Sequence, residues 1–123
     1  GLLPGSQDEN LLQMHIFPCE NGDEFPKNQY TKWFDYDKIK GTLSLRHRQP
    51  GDYLTLPSGG RKTLKSWMID EKIPRQEREQ IWLLAEEKHI LWIVGHRISA
   101  YYKITEQTKT ILEVEFNGGK SSG

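Results

Sequence analysis

Cysteine is nearly absent from this chain, since Cys19 is the only one among 123 residues. An internal disulfide is therefore excluded, which fits a reducing compartment, so we expect a cytoplasmic protein. Long apolar runs are also missing, because no stretch approaches the roughly 20 residues that cross a bilayer. The first residues lack the basic and then apolar pattern of a signal peptide. These absences predict a soluble intracellular domain with no membrane contact.

Apolar residues are scarce, at 35% of the chain, although four Trp, five Tyr and four Phe provide bulky core material. This length and composition predict one small domain with a single core. Residues 1–10 and 117–123 lack apolar periodicity and are rich in glycine, serine and polar residues, so we expect two flexible tails. The predicted domain therefore spans residues 11–116.

Alternation of apolar and polar residues predicts short strands throughout the domain. An apolar stripe of Leu64, Trp67 and Met68 predicts a short helix that begins near Thr63, and Pro74 favours another helical turn at 75–80. We expect strands 81–85 and 89–94 to form a hairpin, and 101–105 to pair with 110–116. The predicted fold class is α+β, with small β-sandwich-like mixed sheets and one or two short helices. The other predicted strands are 11–17, 31–36, 42–48 and 53–56.

Net charge is zero, because 17 Lys and Arg balance 17 Asp and Glu, yet the positive charge is concentrated. Residues 40–78 contain nine basic and four acidic residues. Strand alternation places Arg46 and Arg48 side by side on a solvent face. Arginine predominates among the basic residues and suits phosphate, so we predict a phosphate-binding patch; the alternative is a solvated charged face. The candidates, of which only Arg97 lies outside this window, are Arg46, Arg48, Arg61, Lys62, Lys65, Arg75, Arg78 and Arg97.

Patterns for catalysis and metal binding are missing too. The segment SGGRKT at 58–63 is superficially similar to a phosphate loop, but Arg61 separates Gly60 from Lys62, which a Walker A loop does not allow. The four histidines have no metal-ligand spacing, and no nucleophile with its base is recognisable. We therefore predict no catalytic, cofactor or metal residue in this chain. An independent small enzyme has little support.

Three segments together resemble a known family: RHRQPGD at 46–52, KTLKSWMIDEKIPRQER at 62–78 and WIVGHRI at 92–98. They occur in the order and spacing of the C-terminal domain of bacterial tRNA(Ile)-lysidine synthetase. The resemblance covers about half of the chain, roughly residues 43–105. One departure is Trp82, where the family usually has a proline before its strand.

The resemblance implies a parent enzyme, a ligase that uses ATP and Mg to join lysine to the wobble cytidine of tRNA(Ile) in its own N-terminal catalytic domain. That catalytic domain is absent here, so the resemblance implies a non-catalytic domain without a cofactor, which binds the tRNA(Ile) acceptor stem. It also implies a fold similar to a domain of the phenylalanyl-tRNA synthetase β chain. The eight basic candidates then become candidates for RNA contact.

The alternative function is a protein-interaction module that docks on the catalytic domain or on a second subunit, which includes a homodimer. Such a module would use aromatic side chains in an exposed apolar patch. Exposure of these rings would favour docking, and their burial would favour tRNA binding. The aromatic candidates for this patch are Trp33, Phe34, Trp82 and Trp92.

Overall fold

The computed structural model describes residues 11–20 and 29–117. The two predicted tails, apart from Asn117, lie outside the described residues, as does most of the loop before the second strand. None of the helices in the described part is long and apolar enough to cross a membrane. Short 3-10 turns span Tyr36–Lys38 and Ala100–Tyr102. The remaining elements are β1 (Leu12–Pro18), β2 (Thr31–Asp35), β3 (Leu43–Arg46), β4 (Tyr53–Thr55), β5 (Arg61–Thr63), α1 (Leu64–Asp70), α2 (Arg75–Arg78), β6 (Leu83–Glu86), β7 (His89–Ile93), β8 (Arg97–Ile98) and β9 (Thr110–Phe116).

The strands form two sheets. The smaller sheet has the order β1-β9-β2 and is antiparallel, with Leu12 opposite Phe116 and Thr31 opposite Glu115. The larger sheet has the order β3-β6-β7-β4-β5, and β8 adds to β7 beside β4. The pairing of β4 with β7 is parallel, whereas the other pairings are antiparallel. The predicted α+β class with small sheets and one or two short helices is confirmed: the described residues form a larger mixed sheet, a smaller antiparallel sheet and two short helices.

The larger sheet lies between two apolar clusters. On one face it packs against the smaller sheet through Leu45, Trp92 and Phe34, all of which are fully buried. On its other face Leu83 and Ile90 contact the apolar stripe of α1, which includes Met68. The register of β6 on β7 shifts between Leu84 and Ala85. Burial on both faces explains why the strands around 83–93 are nearly continuous runs of apolar residues.

Two sequence predictions about elements are wrong, and two short strands were not predicted. Residues 101–105 do not form a strand: a 3-10 turn at Ala100–Tyr102 precedes irregular backbone, and Tyr102 is buried there. Strand β9 pairs instead with β1 and β2, over Thr110–Phe116 as predicted. The strands that were not predicted are β5 at Arg61–Thr63, against β4, and β8 at Arg97–Ile98, against β7. Thr63 ends β5 and caps α1, since its hydroxyl accepts a hydrogen bond from the Ser66 backbone N–H.

Candidate nucleic-acid interface

Arg46 is a partner of a buried carboxylate. Its two terminal nitrogens each lie 2.9 Å from one oxygen of Asp52, and the guanidinium also donates to the carbonyls of His47 and Glu87. The Arg46 side chain is 14% exposed and that of Asp52 is 1% exposed. Asp52 also accepts a hydrogen bond from the Gln49 backbone N–H and closes the Pro-Gly turn. The expectation that Arg46 lies on a solvent face is therefore wrong, because the buried carboxylate draws its side chain inward; phosphate contact by Arg46 stays a prediction.

Three further predicted residues also have partners within the chain. Arg48 forms an ion pair with Glu79, with its Nε and one terminal nitrogen 2.7 and 2.6 Å from Oε2. Lys62 forms an ion pair with Asp70, which ties β5 to the end of α1. Arg78 donates from Nε to the Ile73 carbonyl at 2.8 Å. Phosphate contact by these three residues also stays a prediction, and a phosphate would compete with the partners that they have within the chain.

The remaining four predicted residues are exposed. The side chains of Lys65, Arg75 and Arg97 form no hydrogen bond or ion pair with residues in the described ranges. Arg61 lies over the ring of Tyr53, with its guanidinium carbon 4.5 Å from the ring centroid. These residues come from β5, α1, α2 and β8. Of these four residues, Arg61 lines an open cleft with three lysines, and Lys65 lines a second depression.

This cationic cleft is an open depression of about 760 Å³ between β4, β5, the β6–β7 turn and the two 3-10 turns. Four of its lining side chains are cationic, and four carry aromatic rings. Its acidic members are Glu86 and Glu87. Gly59, whose φ of +99° suits glycine, leaves open space beside the cleft. The cationic cleft is lined by Lys38, Lys40, Gly41, Tyr53, Thr55, Gly59, Arg61, Glu86, Glu87, Lys88, His89, Tyr101 and Tyr102.

Three aromatic rings in the cleft contact one another, and a cation contacts the ring at each end of the series. The ring of His89 stacks on Tyr53, with centroids 4.6 Å apart and 26° between the planes, while Arg61 contacts Tyr53 as well. The Tyr101 ring lies 5.2 Å from the ring of His89, and Lys38 lies 4.9 Å from the Tyr101 centroid. Such pairs hold the cationic groups in place without neutralising them. The arrangement suits a ligand that is both anionic and planar.

Titration in the cleft keeps its charges in fixed states near neutral pH. Burial and then the positive charge of Arg61 lower the pKa of His89, although Glu86 opposes this, so His89 is neutral. Burial alone would raise the pKa of Glu86, but hydrogen bonds from the Tyr102 hydroxyl and from backbone N–H groups outweigh it, and the pKa is lowered. Burial and Glu86 raise the pKa of Tyr102. The Glu86 carboxylate is thus ionised, and it accepts hydrogen bonds from the backbone N–H groups of Lys40 and Gly41 and from the Tyr102 hydroxyl.

Sequence reasoning missed the lysines of the cleft. Lys38 lies in an acidic stretch and Lys88 in a hairpin turn, so a count of charges along the chain assigns neither to the basic window. Lys40 falls within that window, but it lies far in sequence from the glycine turn beside Arg61. The β4–β7 contact, Tyr53 opposite His89, brings these segments together. No local pattern signals this pairing, because it joins strands 36 residues apart.

A second depression, of about 550 Å³, contains Arg48 and Lys65 among its lining residues. The Pro50-Gly51 turn separates this groove from the cationic cleft. Lys88 bridges the two, since its ammonium lies 3.3 Å from the Gln49 side-chain oxygen. Asp52 and Glu79 also line this groove and pair with Arg46 and Arg48, so Lys65 is the cation that the groove adds near the start of α1.

The aromatic residues required by the docking alternative are not exposed. Phe34 and Trp92 are fully buried, while Trp33 and Trp82 are half-buried. Trp33 donates to the Glu113 carboxylate at 2.9 Å.

Within the described ranges, no group of three or more His, Cys, Asp or Glu side chains could hold a metal ion. The cationic cleft, with its exposed cations and aromatic rings, suits binding of an anion with planar groups.

Comparison with known proteins identifies relatives of this chain. The family described as the TilS substrate C-terminal domain matches residues 43–115, more than half of the chain. The chain is similar to the tRNA(Ile)-lysidine synthase of Caldanaerobacter subterraneus subsp. tengcongensis, with 46% identity over 85% of this chain and 23% of that protein. The corresponding protein of Clostridium tetani is 41% identical over 81% of this chain and 22% of its own length. The chain thus spans about a quarter of the length of these curated relatives.

A solved crystal structure of a TilS C-terminal domain has the same fold. It superimposes with a TM-score of 0.63 at 26% sequence identity, covering 93% of this chain and 88% of that one. The family match at residues 43–115 includes the three motif segments, and the fold match covers most of the chain. The chain belongs to the TilS C-terminal domain family.

Proposed function

We propose that this chain is the non-catalytic tRNA-binding domain of a tRNA(Ile)-lysidine synthase and that it contacts the acceptor stem of tRNA(Ile). The observation that carries the proposal is the cationic cleft, in which Arg61, Lys38, Lys40 and Lys88 collect around aromatic rings on a chain of zero net charge. Relatives with the name tRNA(Ile)-lysidine synthase support the choice of tRNA as the ligand.

Positive charge that is concentrated at one place on a neutral protein favours binding of a polyanion at that one site over non-specific binding across the whole surface. Double-stranded RNA is recognised mainly by its shape and its phosphate and ribose groups, for which fixed cations are the required partners. Contacts between Arg61 and Tyr53 and between Lys38 and Tyr101 position two of these cations before RNA arrives. The cleft therefore supplies charge whose geometry is already set.

The proposed footprint consists of the cationic cleft and the adjoining groove. From the sequence-based set it takes Arg61, Lys65 and Arg48, while Arg46 and Lys62 hold the turn and β5 in position. Phosphate contacts by Arg75, Arg78 and Arg97, which line neither depression, remain separate predictions.

The remaining partners belong to the parent protein. We propose that the parent protein has an N-terminal catalytic domain that binds ATP and Mg; this chain spans only 23% of one relative, which leaves room for such a domain. That catalytic domain is a further proposed partner, as is a second copy in a homodimer, and the proposed location is the cytoplasm. The burial of Phe34 and Trp92 favours tRNA binding over docking through those rings.

A titration of the 123-residue chain with tRNA(Ile) bearing a CAU anticodon tests this proposal at two salt concentrations. We expect salt-sensitive binding that Arg61→Ala weakens and that removal of the acceptor stem abolishes. His15→Ala, at an exposed position on β1, is the control for substitution outside the footprint. Equal affinity for tRNA with and without its acceptor stem would refute the proposal, as would the absence of binding at low salt.

A further inference from the structure

We propose that the cationic cleft receives an unpaired nucleotide of the RNA, with its base on the Tyr101 ring and a phosphate of the same strand at Arg61. This inference rests on the proposed function, because it names the part of the RNA that the same site takes. It adds a stacking contact to a surface that phosphate attraction alone would not require.

The first step is the exposure of Tyr101. The 3-10 turn places Tyr102 in the core and leaves Tyr101 at the surface, where it is 43% exposed and lines the cleft. Tyr102 contacts the Tyr101 ring edge to face, with centroids 4.9 Å apart and planes at 90°. This contact orients the Tyr101 ring. The Lys38 ammonium lies over the ring, 4.9 Å from its centroid, so a base that stacks on that face displaces Lys38.

The second step concerns the kind of RNA. Within an A-form duplex the faces of the bases are covered by their neighbours, so an aromatic ring gains little from a helix backbone. An unpaired nucleotide exposes a base face, and stacking on aromatic side chains is the usual way in which proteins bind it. A cleft built for the duplex alone needs cations; the Tyr53, His89 and Tyr101 series adds stacking surfaces.

The third step is the charge around the rings. Arg61 and Lys38 each contact a ring of this series, so a phosphate and a base of the same strand can be bound within the same cleft. The two acidic members do not cancel this charge equally, because the Glu86 carboxylate is already occupied by the Tyr102 hydroxyl at 2.7 Å and by two backbone donors. A ligand with anionic groups next to a planar group matches this series of rings with a cation at each end.

The experiment compares two RNAs that share one hairpin duplex, one with a single-stranded 3′ extension and one blunt. We expect the extended RNA to bind the chain more tightly. Tyr101→Ala should weaken binding of the extended RNA roughly 5- to 100-fold, which is the range for loss of one stacked base. Tyr101→Phe keeps the ring and should keep the affinity, while Arg61→Ala should weaken binding of both RNAs.

Each alternative outcome is informative. Equal binding of both RNAs, with Arg61 dependence and no effect of Tyr101→Ala, would overturn the nucleotide pocket and leave the proposed function intact. Equal loss for both RNAs on Tyr101→Ala would also overturn it. Binding of neither RNA would overturn both proposals. If AMP binds as tightly as the extended RNA and shows the same loss on Tyr101→Ala, the cleft is a site for a free nucleotide, and the RNA pocket is overturned.

Discussion

Arg46 and Arg48 stand two residues apart, yet their partners differ in burial. Asp52 beneath Arg46 has a side chain that is 1% exposed, whereas Glu79 beside Arg48 is 63% exposed. Arg46→Met leaves a buried carboxylate without its cation, which should lower the free energy of unfolding by about 3–5 kcal/mol. Arg48→Met is the matched control and should cost less than about 1 kcal/mol. Urea unfolding measures both, and equal losses would contradict the structural role of Arg46.

The basic motif at 46–52 shows what residue identity alone can predict. Proline and glycine favour a turn, and the chain does turn at Pro50-Gly51, where Gly51 has a positive φ. Asp52, which follows the turn, accepts hydrogen bonds from Arg46 and from the Gln49 backbone N–H. Strand alternation could not predict where the Arg46 guanidinium lies, because a buried acceptor six residues away overrides the direction set by the strand. A charge count treats the two arginines alike, whereas burial separates a structural cation from a surface cation.

His89 gives a prediction on pH. Its ring lies between Tyr53 and Tyr101, with Thr55 and Ser99 hydroxyls 3.0 and 3.3 Å from Nε2. Because its pKa is lowered in the fold, the unfolded chain binds the extra proton first as the pH falls. The stability that His89 contributes is therefore complete above pH 6.5 and is lost as the pH falls from there through the folded pKa.

Urea unfolding between pH 5 and pH 8 checks this sign. The slope of the unfolding free energy from one such group cannot exceed about 1.4 kcal/mol per pH unit. His89→Gln should flatten the acid side of the profile, and the exposed His96→Gln is the control that keeps it. The lowered pKa of Glu86 acts below its ordinary value of 4.5, outside this range. An unchanged profile in His89→Gln would contradict the prediction.

At the scale of elements, helix α1 offers a test of its amphipathic face. Met68 is fully buried against the larger sheet, while the next residue, Ile69, is 50% exposed. Met68→Ala removes packed atoms and leaves a cavity, so we expect a loss of about 2–5 kcal/mol in unfolding free energy. Ile69→Ala, a change of similar size at an exposed position, should cost less than about 1 kcal/mol. Similar losses at both positions would mean that α1 does not pack as described.

Whether an element could be predicted depends on how far apart in sequence the interacting residues that form it are. The Leu64, Trp67 and Met68 stripe and the alternation of 110–116 are local, and both elements appear as predicted. Strand β5 has no apolar residue, since Arg61–Thr63 is held by β4 and not by a core face, so no periodicity signals it. Residues 101–105 have the composition of a strand, but their buried residue, Tyr102, enters the core from a 3-10 turn. Elements that depend on a distant partner were the ones missed.

For the whole molecule, the charge pattern along the chain differs from the charge pattern in space. The cationic cleft takes Lys38 from an acidic stretch and Lys88 from a turn, while Arg75 and Arg97 of the predicted set lie outside it. The motifs were sufficient for the family and the fold class. The composition of the candidate site required the pairing of β4 with β7 and the 3-10 turns, since these bring together residues from four separate segments.

A pair of charge-matched double variants tests whether the cleft or the overall charge governs RNA binding. Lys38→Gln with Lys40→Gln removes two charges from the cleft, and Arg75→Gln with Arg97→Gln removes two exposed charges outside it. If the cleft is the interface, the first variant should lose affinity for tRNA(Ile) and reduce the slope of log affinity against log salt by about two units. The second should change both quantities much less, because a change of net charge acts mainly on long-range attraction that salt screens. Binding isotherms at several salt concentrations measure both, and equal losses in the two variants would contradict an interface confined to the cleft.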